Sequence, residues 1–94
     1  MKNTALITGA SSGIGLELAR AHATRKGDLI LVARSTTKLE AIKKDLEFLH
    51  GVEVLIIPKD LSIPDAAQEV YEFVSEKSIQ VDILINNAGI GDFG

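Results

Sequence analysis

A doubly wound α/β fold on a parallel sheet is what this sequence predicts, and three observations carry the prediction. Short apolar runs alternate with stretches whose apolar residues recur at helical spacing, in the order β-α-β-α-β-α-β. Strands separated by helices pair in parallel through right-handed crossovers. The strand runs are apolar without alternation, as expected of a sheet covered on both faces. The segments that break the pattern (9–15, 34–35, 60–61 and 86–89) each follow a strand, so they gather at one edge of the sheet. In a doubly wound fold the first three strands lie in the order 3-2-1. The fourth is laid on the other side of strand 1, and ligands bind at that reversal.

The first strand is read over residues 1–8, with Ala5, Leu6 and Ile7 as its apolar run. Thr8-Gly9 breaks it, and Gly13-Ile14-Gly15 opens a helix that runs to about Arg25. Ile14, Leu18 and Ala21 or His22 share one face of that helix at helical spacing. Gly27 is placed to end it. His22 is read as a packing or helix-surface residue. The second strand covers 28–33, and Ser35 caps the next helix. Leu39, Ile42, Leu46 and Leu49 form that helix's apolar stripe, Gly51 breaks it, and His50 lies at its solvated end. Residues 52–57 form the third strand, stopped by Pro58. Ser62-Ile63-Pro64-Asp65 reads as a helix start, with Ser62 as N-cap and Asp65 as a capping-box acid. That helix runs to about Lys77 with Ala67, Val70, Tyr71 and Val74 inward. Residues 81–85 form the fourth strand, and Asn86-Asn87-Ala88-Gly89 closes it. The result is a Rossmann-like sheet of four strands in the order 3-2-1-4 with three helices, one domain over residues 1–94.

Composition narrows the function classes. The chain has 94 residues, 46 % of them hydrophobic and 24 % charged, which suits a globular domain. A net charge of -3 offers no basic face for nucleic acid. With no cysteine there is no disulfide and no thiolate metal site. No apolar run reaches membrane-spanning length, and the N-terminus enters a strand with no signal-peptide pattern. The expectation is a cytoplasmic protein without membrane or metal partners.

The chemistry starts at Gly9. The spacing G-x-x-x-G-x-G, formed by Gly9, Gly13 and Gly15, is a variant of the dinucleotide fingerprint G-x-G-x-x-G. It is not the nucleotide-triphosphate loop G-x-x-x-x-G-K, because Ile14 stands five residues after Gly9. Backbone N–H groups and the positive dipole end at a helix start attract an anion. Glycines let the backbone approach a pyrophosphate with no Cβ between.

Thr8-Gly9-Ala10-Ser11-Ser12-Gly13-Ile14-Gly15 resembles the cofactor loop of the short-chain dehydrogenase/reductase family, whose pattern is T-G-x-x-x-G-x-G. The resemblance implies that Gly9, Gly13 and Gly15 surround the pyrophosphate of a dinucleotide. It implies further contacts near the phosphates from Ser11, Ser12 and Ile14. Asn86-Asn87-Ala88-Gly89 matches the family's N-N-A-G motif, which implies that Asn87, Ala88 and Gly89 lie near the adenosine ribose and that one asparagine braces the sheet. Asp60-Leu61 stands where the family carries an acid and an aliphatic residue against the adenine. After the second strand an acid would serve the ribose hydroxyls of NAD, whereas arginine accommodates the 2′-phosphate of NADP. This chain has Ala33-Arg34-Ser35 there, so NADP(H) is expected over NAD(H), held by Arg34 and Ser35 with help from Lys38.

Such enzymes move a hydride between a nicotinamide and a carbonyl or alcohol. Their catalytic serine and Tyr-x-x-x-Lys lie beyond the N-N-A-G strand. Tyr71 has Ser75 four residues on, so it does not supply that motif and is read as packing. The expectation is a cofactor-binding segment that does not turn over substrate alone, with no catalytic residue among the 94. Two alternatives stand beside it: an oxidoreductase completed by residues or a partner outside this chain, and an oligomeric nucleotide-sensing or interaction protein without redox activity. The fourth strand would be an apolar edge, so a homo-oligomer pairing that strand with its two-fold mate is expected.

Overall fold

The structure is a computed structural model and describes residues 1–87. Its elements are β1 (Ala5–Thr8), α1 (Gly13–Thr24), β2 (Leu29–Ala33), α2 (Thr36–His50), β3 (Val54–Pro58), α3 (Ala66–Glu76) and β4 (Ile83–Ile85). The strands form a parallel sheet in the order β3-β2-β1-β4, as expected from the sequence. Register is direct: Ala5 lies beside Leu29 and Ile83, and Leu29 lies beside Val54. Every residue of β1 and β2 is buried, the signature of the two central strands.

Side-chain alternation divides the core in two. Ala5, Ile7, Leu29, Leu31 and Ala33 point to the α1–α2 face and meet Ala19, Ala23, Leu39 and Leu46. Leu6, Ile30, Val32 and Ile57 point the other way and meet Val70 and Val74 of α3. Strand starts are pinned by two acids. The Asp28 carboxylate accepts from the backbone N–H groups of Lys2 and Glu53. Asp82 accepts from the Thr4 N–H at 2.8 Å. These bonds use segments otherwise expected as strand, so β1, β3 and β4 begin four, two and two residues later than the spans expected from the sequence.

Several sequence expectations are corrected. The buried face of α1 is Gly15, Ala19, His22 and Ala23, not Ile14, Leu18 and Ala21. Small residues on that face bring the helix close to the sheet, while Ile14 is left 64 % exposed and Leu18 also faces out. Gly27 does not end α1. Lys26 takes the left-handed conformation there (φ 67°), and Gly27 instead makes room for the buried His22 ring. A Cβ on Gly27 would stand 2.1 Å from His22 Nε2, which itself lies 2.6 Å from the Asn3 carbonyl oxygen. Leu49 is exposed beyond the α2 stripe, so Leu39, Ile42 and Leu46 make that contact. In α3 the inward residues are Ala66, Val70 and Val74, and Ala67 faces out. Tyr71 is 50 % exposed and packs into neither core. Gly51 ends α2 in the left-handed conformation and Ser35 caps its start, accepting from the Lys38 N–H at 3.2 Å, both as expected.

Candidate functional site

The strands end together at Thr8, Ala33, Pro58 and Ile85, and the loops leaving the first three meet above the sheet. The reversal between β1 and β4 opens directly beside the β1–α1 turn, where a parallel doubly wound sheet has its crevice.

The turn is built by backbone. Gly9 (φ 63°) and Gly13 (φ 59°) take left-handed conformations that a Cβ would strain. The Ala10 N–H donates to the Val32 carbonyl at 3.2 Å, which ties the turn to β2. Ser12 is the α1 N-cap in extended conformation, and its side chain makes no capping hydrogen bond. Ser11 is buried, Ser12 half-buried, and Gly13 and Ile14 exposed at the helix start. The first N–H groups of a helix have no carbonyl partner within it, so α1 presents its dipole and donors to this opening. Gly15 faces inward. A Cβ there would sit 2.3 Å from the Gly9 carbonyl oxygen and 2.8 Å from Asn87 Nδ2, so only glycine lets the first turn of α1 lie on the loop.

Two asparagines hold the turn from below. Asn87, 2 % exposed, donates its Nδ2 to the Gly9 carbonyl at 3.3 Å. Its backbone N–H donates to Thr8 Oγ1 at 2.9 Å, and the same hydroxyl donates to Asn86 Oδ1 at 3.1 Å. Thr8 therefore uses both the donor and the acceptor capacity of one hydroxyl to couple β1 to the end of β4. Asn87, expected beside a ribose, braces the glycine turn. Ala88 and Gly89, expected with it, lie outside the described residues.

At the same edge of the sheet, on the β2–β3 side of the glycine turn, stand Arg34, exposed just past β2, and Asp60, half-exposed after β3. The Lys59 N–H donates to the Ala33 carbonyl at 2.8 Å, which brings these two strand ends side by side. Asp60 Oδ1 accepts from the Ser62 hydroxyl at 2.7 Å and from the Ser62 N–H at 3.0 Å. Those two bonds, with the Arg34 charge adding to them, hold the Asp60 carboxyl below its ordinary value. Ser62 is thus not the α3 N-cap expected from the sequence. Asp65 holds that position in a left-handed conformation (φ 69°), and residues 61–65 form turns. Leu61 is half-buried against the α3-side core. Sequence reading left Thr8, Asn86 and Ser62 out of the site. For Ser62 a signal was present: Asp with Ser two residues on is the spacing of a side-chain-closed turn.

Among the described residues no group of His, Cys, Asp and Glu is placed to hold a metal, and no helix is long and apolar enough to cross a membrane.

A doubly wound parallel sheet with a glycine turn at its reversal point defines the class of Rossmann-like domains. Within that class the chain belongs to the short-chain dehydrogenases: the family described as short chain dehydrogenase matches residues 3–94. Among relatives, a dehydrogenase/reductase SDR family protein 7-like of Dictyostelium discoideum is 40 % identical over 90 residues, 92 % of this chain and 28 % of the relative. An NADP-dependent 3-hydroxy acid dehydrogenase of Schizosaccharomyces pombe is 43 % identical, covering 93 % of this chain and 34 % of the relative. Among solved structures, L-sorbose reductase from Gluconobacter frateurii, complexed with NADPH and L-sorbose, superposes with a TM-score of 0.87 at 39 % identity. The match takes in 95 % of this chain and 34 % of that one. A short-chain dehydrogenase from Sphingobium yanoikuyae in complex with NADPH gives 0.83 at 44 % identity, over 92 % of this chain and 33 % of that one. The chain thus spans about a third of the length of these proteins.

Proposed function

We propose that these 94 residues form the NADP(H)-binding part of a short-chain oxidoreductase, one that moves hydride between a nicotinamide and a carbonyl or alcohol. The observation that carries this is the placement of the β1–α1 turn, Arg34 and Asp60 at the C-terminal ends of three neighbouring strands, beside the reversal of the sheet. The residues fit the group chemically. A helix start with its dipole suits a pyrophosphate; the open space at the missing Cβ of Gly13 lets it approach the backbone, while Gly9 shapes the turn and Gly15 lets the first turn of α1 lie on it. Ser11, Ser12 and Ile14 line that same turn. A guanidinium at the end of β2, with no acid beside it in Ala33-Arg34-Ser35, suits a 2′-phosphate rather than free ribose hydroxyls. Ser35 and the exposed Lys38 flank it at the start of α2. An ionised Asp60 suits the exocyclic amine of adenine, with Leu61 following it in the same loop, and Asn87 supports the glycine turn from the end of β4.

The bound dinucleotide would supply the hydride. This chain's residues bind and orient its adenosine and phosphate end. Positioned acid/base groups for the carbonyl are a separate requirement, and the family's tyrosine and lysine belong to sequence beyond the N-N-A-G motif. In isolation the 94 residues are therefore expected to bind NADPH weakly and to reduce nothing.

Calorimetric titration with NADPH and NADH tests the reading. NADPH is expected to bind at least several-fold tighter. Arg34→Asp should abolish that preference, because an acid repels the phosphate and accepts from ribose hydroxyls. A folded protein that binds neither dinucleotide, or an Arg34→Asp variant with unchanged preference, would reject it.

The same reading includes an association. β4 is an edge strand with Ile83 40 % and Leu84 51 % exposed. An apolar edge with open ladder groups recruits another strand, and in these 94 residues taken alone a second copy supplies it.

A further inference from the structure

The turn after β3 holds a carboxylate more tightly than an exposed loop needs. Asp60 stands just past the end of β3, and both of its hydrogen bonds run from Ser62 to the same oxygen, Oδ1. The main-chain bond closes a two-residue side-chain turn, and the hydroxyl bond at 2.7 Å locks the remaining rotation of the carboxylate. A second turn, Ile63 N–H to the Asp60 carbonyl at 3.2 Å, fixes the backbone beneath it. The Ser62 hydroxyl is not engaged by α3, whose N-cap is Asp65. Oδ2 carries no bond from the described residues.

We propose that Ser62 is a positioning residue of the dinucleotide site: by occupying Oδ1 of Asp60 it presents Oδ2, in one orientation, to the exocyclic amine of adenine. This rests on the NADP(H) reading above. A carboxylate held by two donors loses less freedom on binding than a free one, which is the general advantage of preorganisation. The same two bonds, with Arg34 behind them, keep the acid ionised and acceptor-only, the state an amine donor requires. Ser62 therefore acts on base discrimination without touching the ligand.

The test uses the 94-residue protein with Ser62→Ala and Ser62→Thr, titrated with NADPH and with its hypoxanthine analogue, in which oxygen replaces the adenine amine. Ser62→Ala should weaken NADPH about three- to tenfold, the cost of ordering a carboxylate that the hydroxyl no longer holds. It should leave the analogue nearly unchanged, so that the preference for adenine shrinks. Ser62→Thr, which keeps the hydroxyl, should restore both. In the free protein, an NMR titration of the Asp60 carboxyl should move up toward the ordinary aspartate range in Ser62→Ala and stay put in Ser62→Thr. Equal weakening of both dinucleotides with a lowered melting temperature would mean a purely structural serine and would overturn the proposal, as would an unmoved Asp60 titration. A wild-type protein that binds neither dinucleotide would reject the cofactor reading and the adenine role together. The Asp60 titration separates that outcome from a failure of Ser62 to hold the carboxylate.

Discussion

Gly13 and Gly15 stand two residues apart in the same turn and are required for different reasons. Gly13 has open space around its missing Cβ but a left-handed backbone, whereas Gly15 has an ordinary backbone and a Cβ position already filled by Gly9 and Asn87. Gly13→Ala should cost about 1 kcal/mol, the strain of a left-handed alanine. Gly15→Ala forces backbone apart in a packed site and should cost about 1–3 kcal/mol. It should also displace the Gly9 carbonyl from Asn87. Urea unfolding of both variants measures the difference, and the predicted order is Gly15→Ala well below Gly13→Ala in midpoint. At this scale the glycine spacing was readable in the sequence, and so was the arginine at the end of β2. The task of each glycine was not, because it depends on contacts 78 residues apart in the chain, such as Asn87 to Gly9. Gly27 makes the same point: it looked like a helix terminator, and only the His22 ring packed on it explains it.

The element order and the strand order were legible because they follow from periodicity and chain-crossover rules, which are local and general. Element starts were less so. Ser62-Ile63-Pro64-Asp65 has the composition of a capping box, yet Asp60 competes for Ser62 and wins, and α3 begins at Ala66. The inward face of α1 was misjudged for a related reason. Hydrophobic residues mark a buried face only when there is room for them, and the close approach of α1 leaves room for Gly15, Ala19 and Ala23. Between α2 and β3 a further element-scale interaction bears on stability. Glu47 accepts from Lys43 at 3.0 Å and from the Val54 N–H at 3.2 Å, while Lys43 also donates to the Val54 carbonyl. The Lys43 hydrogen bond first, and the Val54 N–H with it, lower the Glu47 carboxyl below the ordinary glutamate value of 4.5. A folded-state value below the unfolded one stabilises the fold above pH 4.5, and that contribution is lost as pH falls through the lower, folded value. Both side chains are about 40 % exposed, so screening keeps the effect below about 1 kcal/mol. Glu47→Gln should therefore melt slightly below wild type at pH 7, and the gap should close as pH falls below 4.5 through the lowered Glu47 value. Thermal melts across that range measure this.

As a whole molecule the domain is two cores around β1 and β2, with two unequal edges. β4 carries exposed Ile83 and Leu84 over three residues of strand. Leu84→Lys should abolish the proposed β4-paired dimer and leave a monomer with unchanged circular dichroism, read by sedimentation at tens of micromolar. A wild-type protein that sediments as a monomer would remove the premise. In a longer chain the same edge would receive the next strand, and Leu84→Lys would then lower stability instead.

The opposite edge has its own chemistry, and it sets a limit on growth. Along the outer side of β3, Val54 has both main-chain groups taken by Glu47 and Lys43, and Pro58 has no N–H to give. An incoming strand would meet a ladder with rungs missing at both ends. The sheet is a chain terminated on one side and extensible on the other. In the proposed pairing through β4 both extensible edges would be used and two blocked ones left, so addition would stop at a pair. That pairing would keep a molecule with an apolar edge from becoming the repeating unit of a filament.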